Sequence, residues 1–577
     1  MPPKKYIRSN SDKTRGRSKS ASRVSSRARS RTPSRSRSRS RSTIKKTWTP
    51  ASESKVRKRR SPSVSSSSSE EVKVSRKALP KSRKSVPGTL KDLKSKSTSL
   101  TQETSGARFS QRLVQKFEIE NEPLSRSAVV QSQSSSIAGL STCSKIGALF
   151  RKYIYPSPVL AFICLISFLP MVLLLNLSVL PKSSLHHGYH FAGVTWPTNW
   201  RVYFDIRCLL FATLYQFVNY LLMRFIPIGY KMDLPGLQNR RYNGLFLLFF
   251  FCGLYAFIQF CPCASDWSVK PTLLLPKYHV RLVIAAGEVA LLATIITHIA
   301  TRHAPPSQLS RDGNTGNFIV DFWRGRTARP LWFGVDWKLL LLRSAFIGSL
   351  LCNVTYLLCQ WEHFNRLSPA LIALVAMISI AAIDFCVFEY TTNYSLELRY
   401  EGFGYYTITA YFVMPFVHSI AAVYLSKRPD VGQLYTATGG INLCNCALLG
   451  LSAMLFVAGC WIYRAANNQK DLFRRQPSHP SFGGLDKISG PRSQKLLAGG
   501  WWGFVRHPNY LGNLMMAYAS AIPTGFASIY PWLYPLLLTG SLLHRIWRTE
   551  YLNAEKYGTL MTMYKQLVPS RLLPHIF

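Results

Sequence analysis

Residues 468–515 hold the densest cluster of polar and aromatic side chains in the chain, and their types suit a phosphorylated ligand that carries a flat ring. The cluster opens with Asn468-Gln469-Lys470 and Phe473-Arg474 and closes with Trp501-Trp502-Gly503-Phe504-Val505-Arg506-His507-Pro508-Asn509-Tyr510-Leu511-Gly512-Asn513. Lys470 and Arg474 are four residues apart, so on a helix both cations face one way. With Arg545, in His544-Arg545-Ile546-Trp547-Arg548-Thr549-Glu550, they suit a multiply charged phosphate group. Trp501, Trp502 and Tyr510 can stack on a ring, and Asn509 offers both a donor and an acceptor. The same residues also fit a basic loop with interfacial aromatics beside a membrane.

The elements that must position this cluster are apolar. Runs near 159–179, 208–226, 243–261, 280–300, 338–358, 369–389 and 441–463 are each close to the 20 or so residues a bilayer core requires. Weaker candidates lie near 404–425, 511–526 and 530–543. The expectation is an all-α polytopic membrane protein of about ten transmembrane helices. Lys/Arg in Arg240-Arg241, 301–337 and 464–507 exceed those in 181–207, 262–279, 359–368 and 426–440. By the positive-inside rule, the basic loops and both termini share the nucleoplasmic or cytosolic side. The twelve cysteines are scattered, and the spacings Cys261-Pro262-Cys263 and Cys444-Asn445-Cys446 are not those of zinc sites, so neither a metal nor a disulfide framework is expected. No signal peptide is expected, because residues 1–130 hold no apolar core segment.

Residues 1–140 read as a different kind of segment. Of the chain's 72 Lys/Arg and 26 Asp/Glu, residues 1–150 hold 36 and 9. A segment with so few apolar groups has little to offset its ordering entropy, which predicts a disordered arm. Such a run is either a solvated tail or a polyanion-binding arm. Its length, single sign and regular Ser spacing favour the second reading, with Arg27, Arg29, Arg31, Arg35, Arg37, Arg39, Arg41, Lys55, Arg57, Lys58, Arg59 and Arg60 contacting DNA or chromatin. Ser34, Ser36, Ser38, Ser40 and Ser42 resemble substrates of SR-protein kinases, while Thr32 and Ser61 precede proline and suit proline-directed kinases. Each phosphate would add about −1.5 to −2 charge and weaken the arm's field.

The 468–513 signature and the later His544-Arg545 resemble the C-terminal signature of the sterol C14-reductase family. Upstream, Ile226-Pro227-Ile228-Gly229, Arg241-Tyr242-Asn243-Gly244, Asp321-Phe322-Trp323-Arg324-Gly325-Arg326 and Glu401-Gly402-Phe403-Gly404 agree. The resemblance covers about 145–577, with 464–577 as the cofactor region. It implies NADPH held by Lys470, Arg474, Trp502, Asn509, Tyr510 and Arg545, and a sterol whose C14 alkene is protonated and then reduced by hydride. Plain reductases lack an Arg/Ser arm. The arm resembles that of the family's lamin-receptor branch, which implies B-type lamin, chromatin and membrane sterol or lipid as partners, and the inner nuclear membrane, continuous with the endoplasmic reticulum, as location. That branch begins with a Tudor domain in vertebrates, and none is read here.

The chain departs from the family pattern at several acids. Asn513 stands where the family has Asp after Gly512, and Thr549 where it has Asp between Arg548 and Glu550. Thr549 cannot relay a proton as a carboxyl does. Glu550 lies about 100° around the helix from it. The segments Gly325–Leu331, Leu341–Ala345 and Thr409-Ala410 have also lost family residues, whereas Pro415-Phe416 is kept. The expectation is an inactive reductase body on a tethering arm, the alternatives being an active reductase or a sterol binder without turnover. Residues 1–140 titrated onto nucleosomes should lose affinity steeply between about 50 and 200 mM salt, as phosphate neutralisation requires. A flat response, or equal binding by a phosphomimetic arm, contradicts the tether.

Overall fold

The computed structural model describes residues 157–180, 188–191, 194–234, 237–263, 269–310, 312–436, 438–490 and 494–577. The nucleic-acid-binding and phosphorylation residues assigned to the arm lie outside the described residues. Those described fold into helices and four two-stranded antiparallel hairpins. In chain order these are α1 (Pro158–Ser178), β1 (Gly188–Phe191), β2 (Val194–Pro197), α2 (Ile206–Phe225), β3 (Tyr230–Leu234), β4 (Leu237–Tyr242), α3 (Gly244–Phe260), α4 (Pro271–Ala300) and α5 (Phe318–Arg324). Then follow β5 (Leu331–Trp332), β6 (Val335–Asp336), α6 (Trp337–Phe364), α7 (Pro369–Val387), α8 (Leu396–Arg399), α9 (Tyr405–His418), α10 (Ile420–Leu425) and α11 (Leu443–Arg475). The C-terminal part comprises β7 (Lys487–Ser489), β8 (Lys495–Leu497), α12 (Trp501–Phe504), α13 (Pro508–Ala521), α14 (Leu533–Tyr557) and α15 (Thr559–Leu567).

Local sequence sets where the helices begin. Ser157-Pro158 and Ser368-Pro369 place a hydroxyl cap before a proline whose missing N–H costs nothing in the first turn. Ser368 Oγ accepts from Leu371 N–H at 3.3 Å. Asp336 caps α6 in the same way, at 3.3 Å from Leu339 N, and the helix ends at Asn365 in the left-handed region.

All ten apolar runs contain helix, but the expected ten spans are not all observed. Seven segments among the described residues are long and apolar enough to cross a membrane: α1, α4, α6, α7, α11, Trp200–Phe225 and Tyr405–Leu425. Helix α3 is apolar but has 17 residues. Helix α13 has 14, about 21 Å, which falls short of a hydrocarbon core of about 30 Å. Helix α14 is long enough, but its second half carries Arg545, Arg548, Glu550, Glu555 and Lys556.

Helix α6 forms the centre of the bundle and packs on α4, α7 and α9. Its Arg343 is fully buried and donates to Glu389 Oε1 at 2.7 Å and Asn243 Oδ1 at 2.8 Å. Glu389 also accepts from Gly244 N–H at 3.0 Å. A Cβ at Gly244 would lie 2.6 Å from that carboxylate, so α3 can begin here only with glycine. Helices α11 and α13 meet backbone to backbone, because a Cβ at Gly459 would lie 2.8 Å from Gly512 O. Helix α11 has 33 residues and runs for about 50 Å, so at least its last third stands clear of a bilayer core. That overhang carries Asn467, Lys470 and Arg474.

Removing one partner of a buried, hydrogen-bonded ion pair typically costs about 3–5 kcal/mol, whereas an apolar pair of similar volume can be neutral. Arg343→Met should therefore lower the unfolding temperature in detergent sharply, and Arg343→Met with Glu389→Leu should recover much of the loss. No recovery would mean that the pair's bonds to Gly244 and Asn243 set the local fold.

Candidate functional site

The overhang of α11, the start of α13 and the polar half of α14 enclose a cavity of about 740 Å³ with the 391–400 segment. Lys470, Arg474, Trp502, Asn509, Tyr510 and Arg545 all line it, as do Asn513 and Thr549. The residues singled out from sequence thus share one space, although up to 75 positions separate Lys470 from Arg545. Trp501 does not line it. Its ring meets Trp461 edge-on at 5.3 Å, and its backbone N–H donates to Gln469 Oε1 at 3.1 Å.

Each aromatic is held by its neighbours. Trp502 Nε1 donates to Ala466 O at 3.1 Å, and the Lys470 ammonium lies 5.2 Å from the Trp502 ring. Tyr510 stacks on His507 with ring centres 5.2 Å apart and planes 4° apart. Asn509 donates to Asn467 Oδ1 at 3.4 Å, while its own buried amide oxygen has no partner. Arg474 donates to Tyr557 Oη at 3.2 Å.

The acids at the site escaped the sequence reading, which quoted Glu401 only within a motif. Arg545 donates to Glu397 Oε2 and to Glu401 Oε2, both at 3.1 Å. Arg548 reaches Glu401 Oε1 at 3.0 Å and pairs with Asp312. Glu397 also accepts a short hydrogen bond from the buried Tyr411 hydroxyl. Glu397 is on α8, but Glu401 lies beyond the helix's end at Arg399, so helical spacing does not explain how both reach Arg545. No linear signal tied Asp312 to Arg548, 236 positions away.

The cavity's charge is unbalanced. Arg399, Lys470, Arg474, Arg506, Arg545 and Lys556 line it, against the carboxylates Asp312 and Glu397. Both acids are already paired with arginine, and Glu550 outside the lining offsets Arg506, so Arg399, Lys470, Arg474 and Lys556 supply the surplus positive charge that faces the cavity. Burial alone would raise the Tyr557 phenol, but Arg474 and Lys556 hold it below its ordinary value. Burial likewise opposes ionisation of Glu401, yet Arg545, Arg548 and Lys338 keep its carboxyl below the usual range. His507 is pushed down to about 3, first by burial and then by Arg506, Lys470 and Arg571. It stays neutral at pH 7.

NADPH fits this arrangement. The volume lies within the range of small-ligand pockets, the surplus cations match phosphates, and the orphaned Asn509 oxygen is an acceptor awaiting a donor. Glu550 does not line the cavity. It holds Arg506 at 2.8 Å and Arg571 at 3.3 Å.

A neutral buried His507 favours the fold above its ordinary pKa of about 6.5. Below that value the unfolded chain gains a proton that the folded site refuses until about pH 3. Melting temperature in detergent should therefore fall as pH drops from 6.5 to 4, and fall less for His507→Gln. Parallel curves for the two proteins would refute the assignment.

Comparisons with known proteins bear on the family of the chain. The profile of the ergosterol biosynthesis ERG4/ERG24 family matches residues 149–577. The delta(14)-sterol reductase TM7SF2 of Mus musculus is 32% identical over 305 residues, covering 52% of this chain and 70% of its own. The delta(14)-sterol reductase LBR of Gallus gallus is 30% identical over 354 residues, covering 60% of this chain and 53% of its own. The delta(14)-sterol reductase of Arabidopsis thaliana is 28% identical over 339 residues, covering 58% and 86%.

Proposed function

Because the chain belongs to the ergosterol biosynthesis ERG4/ERG24 family, we propose that it is a nuclear-envelope tether whose multi-pass body keeps the NADPH pocket of a sterol reductase without its turnover. The observation that carries the second half is the composition of the cavity. Its two carboxylates, Asp312 and Glu397, are both neutralised by arginine, and Thr549 occupies the place of the family's acid. In this reading Lys470 and Arg474 hold phosphate, Trp502 and Tyr510 flank a ring, and the Asn509 oxygen accepts from an amide. Bound NADPH supplies hydride. The chain's own task would be to place a proton on the sterol alkene, and a threonine hydroxyl is too weak an acid for that step.

The first half rests on the arm. Its charge, Arg-Ser spacing and kinase-type sites suit a phosphorylation-controlled grip on DNA, chromatin or B-type lamin at the inner nuclear membrane. Joined to a body with seven described helices long and apolar enough to cross a membrane, such a grip would fix a polyanion to a bilayer.

An active delta(14)-sterol reductase is the second reading, favoured by the Tyr411–Glu397 hydrogen bond, which sets a buried phenol behind a carboxylate of the cavity wall. Purified full-length protein should bind NADPH, with Lys470→Ala and Arg474→Ala each weakening it about 10- to 100-fold, as lost charge-assisted hydrogen bonds require. It should leave a delta(14)-sterol unreduced, and Thr549→Asp should raise turnover from that baseline. Growth rescue of a reductase-deficient yeast by the wild-type chain, lost with Arg545→Gln, would establish the second reading.

A further inference from the structure

A second cavity, of about 730 Å³, lies at the opposite end of the bundle from the first. Helix α6 fixes this placement. At its start Lys338 donates to Glu401 O, beside the first cavity. At its end Glu362, His363 and Phe364 line the second. The 28 residues between span about 42 Å, enough to cross a bilayer.

The chemistry of this cavity changes with depth. Its walls include Leu180, Val202, Val280, Phe364 and Val423. At the floor, the buried Tyr356 hydroxyl bonds to His279 Nδ1 at 2.7 Å, and His279 Nε2 to Asn176 Oδ1 at 2.9 Å. The floor's polar groups therefore satisfy one another and ask nothing of a ligand. The rim is cationic, with exposed Lys277 and Lys427 and the half-buried Arg281. Arg281 is paired with Asp205 at 2.7 Å, and the rim carboxylate Glu362 accepts from Gln259 at 3.0 Å and Thr272 at 3.1 Å. Neither Lys277 nor Lys427 has a carboxylate partner within 4.0 Å among the described residues.

Around this edge Trp200, Phe204 and Trp361 are exposed, and Leu273 on α4 points outward. Exposed aromatic rings at the ends of spans mark the membrane–water interface. Two rim lysines without a carboxylate partner, over an apolar, internally satisfied interior at that depth, select an amphiphile with an anionic head.

We propose that this second cavity binds the headgroup of an anionic phospholipid, with Lys277 and Lys427 on the phosphate and the upper acyl chains against Val280, Phe364 and Val423. The phosphate sits between the two lysines, away from Glu362, whose oxygen is turned towards Gln259 and Thr272. The site is independent of nucleotide binding and of sterol chemistry.

The test uses the full chain in detergent, with lipid occupancy read by native mass spectrometry and stability by thermal melting. Two lysines on the phosphate should prefer phosphatidylglycerol over phosphatidylcholine by roughly tenfold or more. Lys277→Gln with Lys427→Gln should cut that preference to about twofold or less while leaving NADPH affinity unchanged. Inorganic phosphate alone should not shift the melting temperature. Equal occupancy by the two lipids, an undiminished preference in the double variant, or a full shift from free phosphate would each overturn the proposal. So would a sterol that competes for the site better than the anionic lipid. If the double variant melts before it can be measured, Val202→Trp, at a part-buried wall position that keeps both charges, should exclude the lipid instead.

Discussion

Five charged side chains from three distant segments meet at one point, and the shape of the first cavity depends on them. Arg545 and Arg548 on α14 reach Glu397 and Glu401 in the α8 region and Asp312 in the loop before α5. Two guanidiniums face three carboxylates, with the Lys338 ammonium held against Glu401 O from below. Each arginine uses its planar fork to bridge two acids, which a lysine's single ammonium cannot do with the same geometry. The fork fixes α14 against the 312 and 397–401 segments and so sets one wall of the cavity. With these acids neutralised at the wall, the remaining cations are left to a ligand.

The opposite wall depends on packing. Helix α11 can deliver Lys470 and Arg474 to the cavity only because it is longer than a bilayer is thick, and because it lies flush against α13. That close approach needs Gly459 opposite Gly512, where any side chain would strike backbone. The two glycines bring Asn467 within reach of Asn509, and the Trp502 indole locks onto the same helix at Ala466. A hydrogen bond from Tyr564 to Trp502 O and the Glu550 pairs to Arg506 and Arg571 then tie the C-terminal helices beneath the site. A pocket built this way does not depend on position 549, since Thr549 lines the cavity without belonging to the ion pairs or glycine contact that shape it.

The two cavities sit at the two ends of α6 and differ in what they leave unsatisfied. The first leaves charge and an amide acceptor, which suits a polar nucleotide. The second satisfies its own interior through Tyr356, His279 and Asn176 and leaves charge only at the rim. Between them the buried Arg343–Glu389 pair clamps α3 and α6, so neither end is free to shift without the core.

The sequence alone determined the helical class, the ten apolar runs and much of the cationic and aromatic lining of the first cavity. These are local properties, because hydropathy and fourfold spacing need only neighbours in the chain. The caps at Ser368-Pro369 and Asp336 are legible in the same way. The identity of Thr549 between Arg548 and Glu550 is read the same way, because an identity at a motif position needs no coordinates. The sequence did not settle how many runs are true spans, since the 14 residues of α13 and the polar second half of α14 become clear only once the helix ends are set. Only the tertiary structure decided that Trp501 turns away from the cavity, that Glu397 and Asp312 belong to it, and that a second cavity exists at all. The reason is physical: an ion pair such as Asp312 with Arg548 forms across 236 positions of chain. Whether a carboxylate is free or neutralised depends on which distant side chains the packing brings within a few ångströms of it.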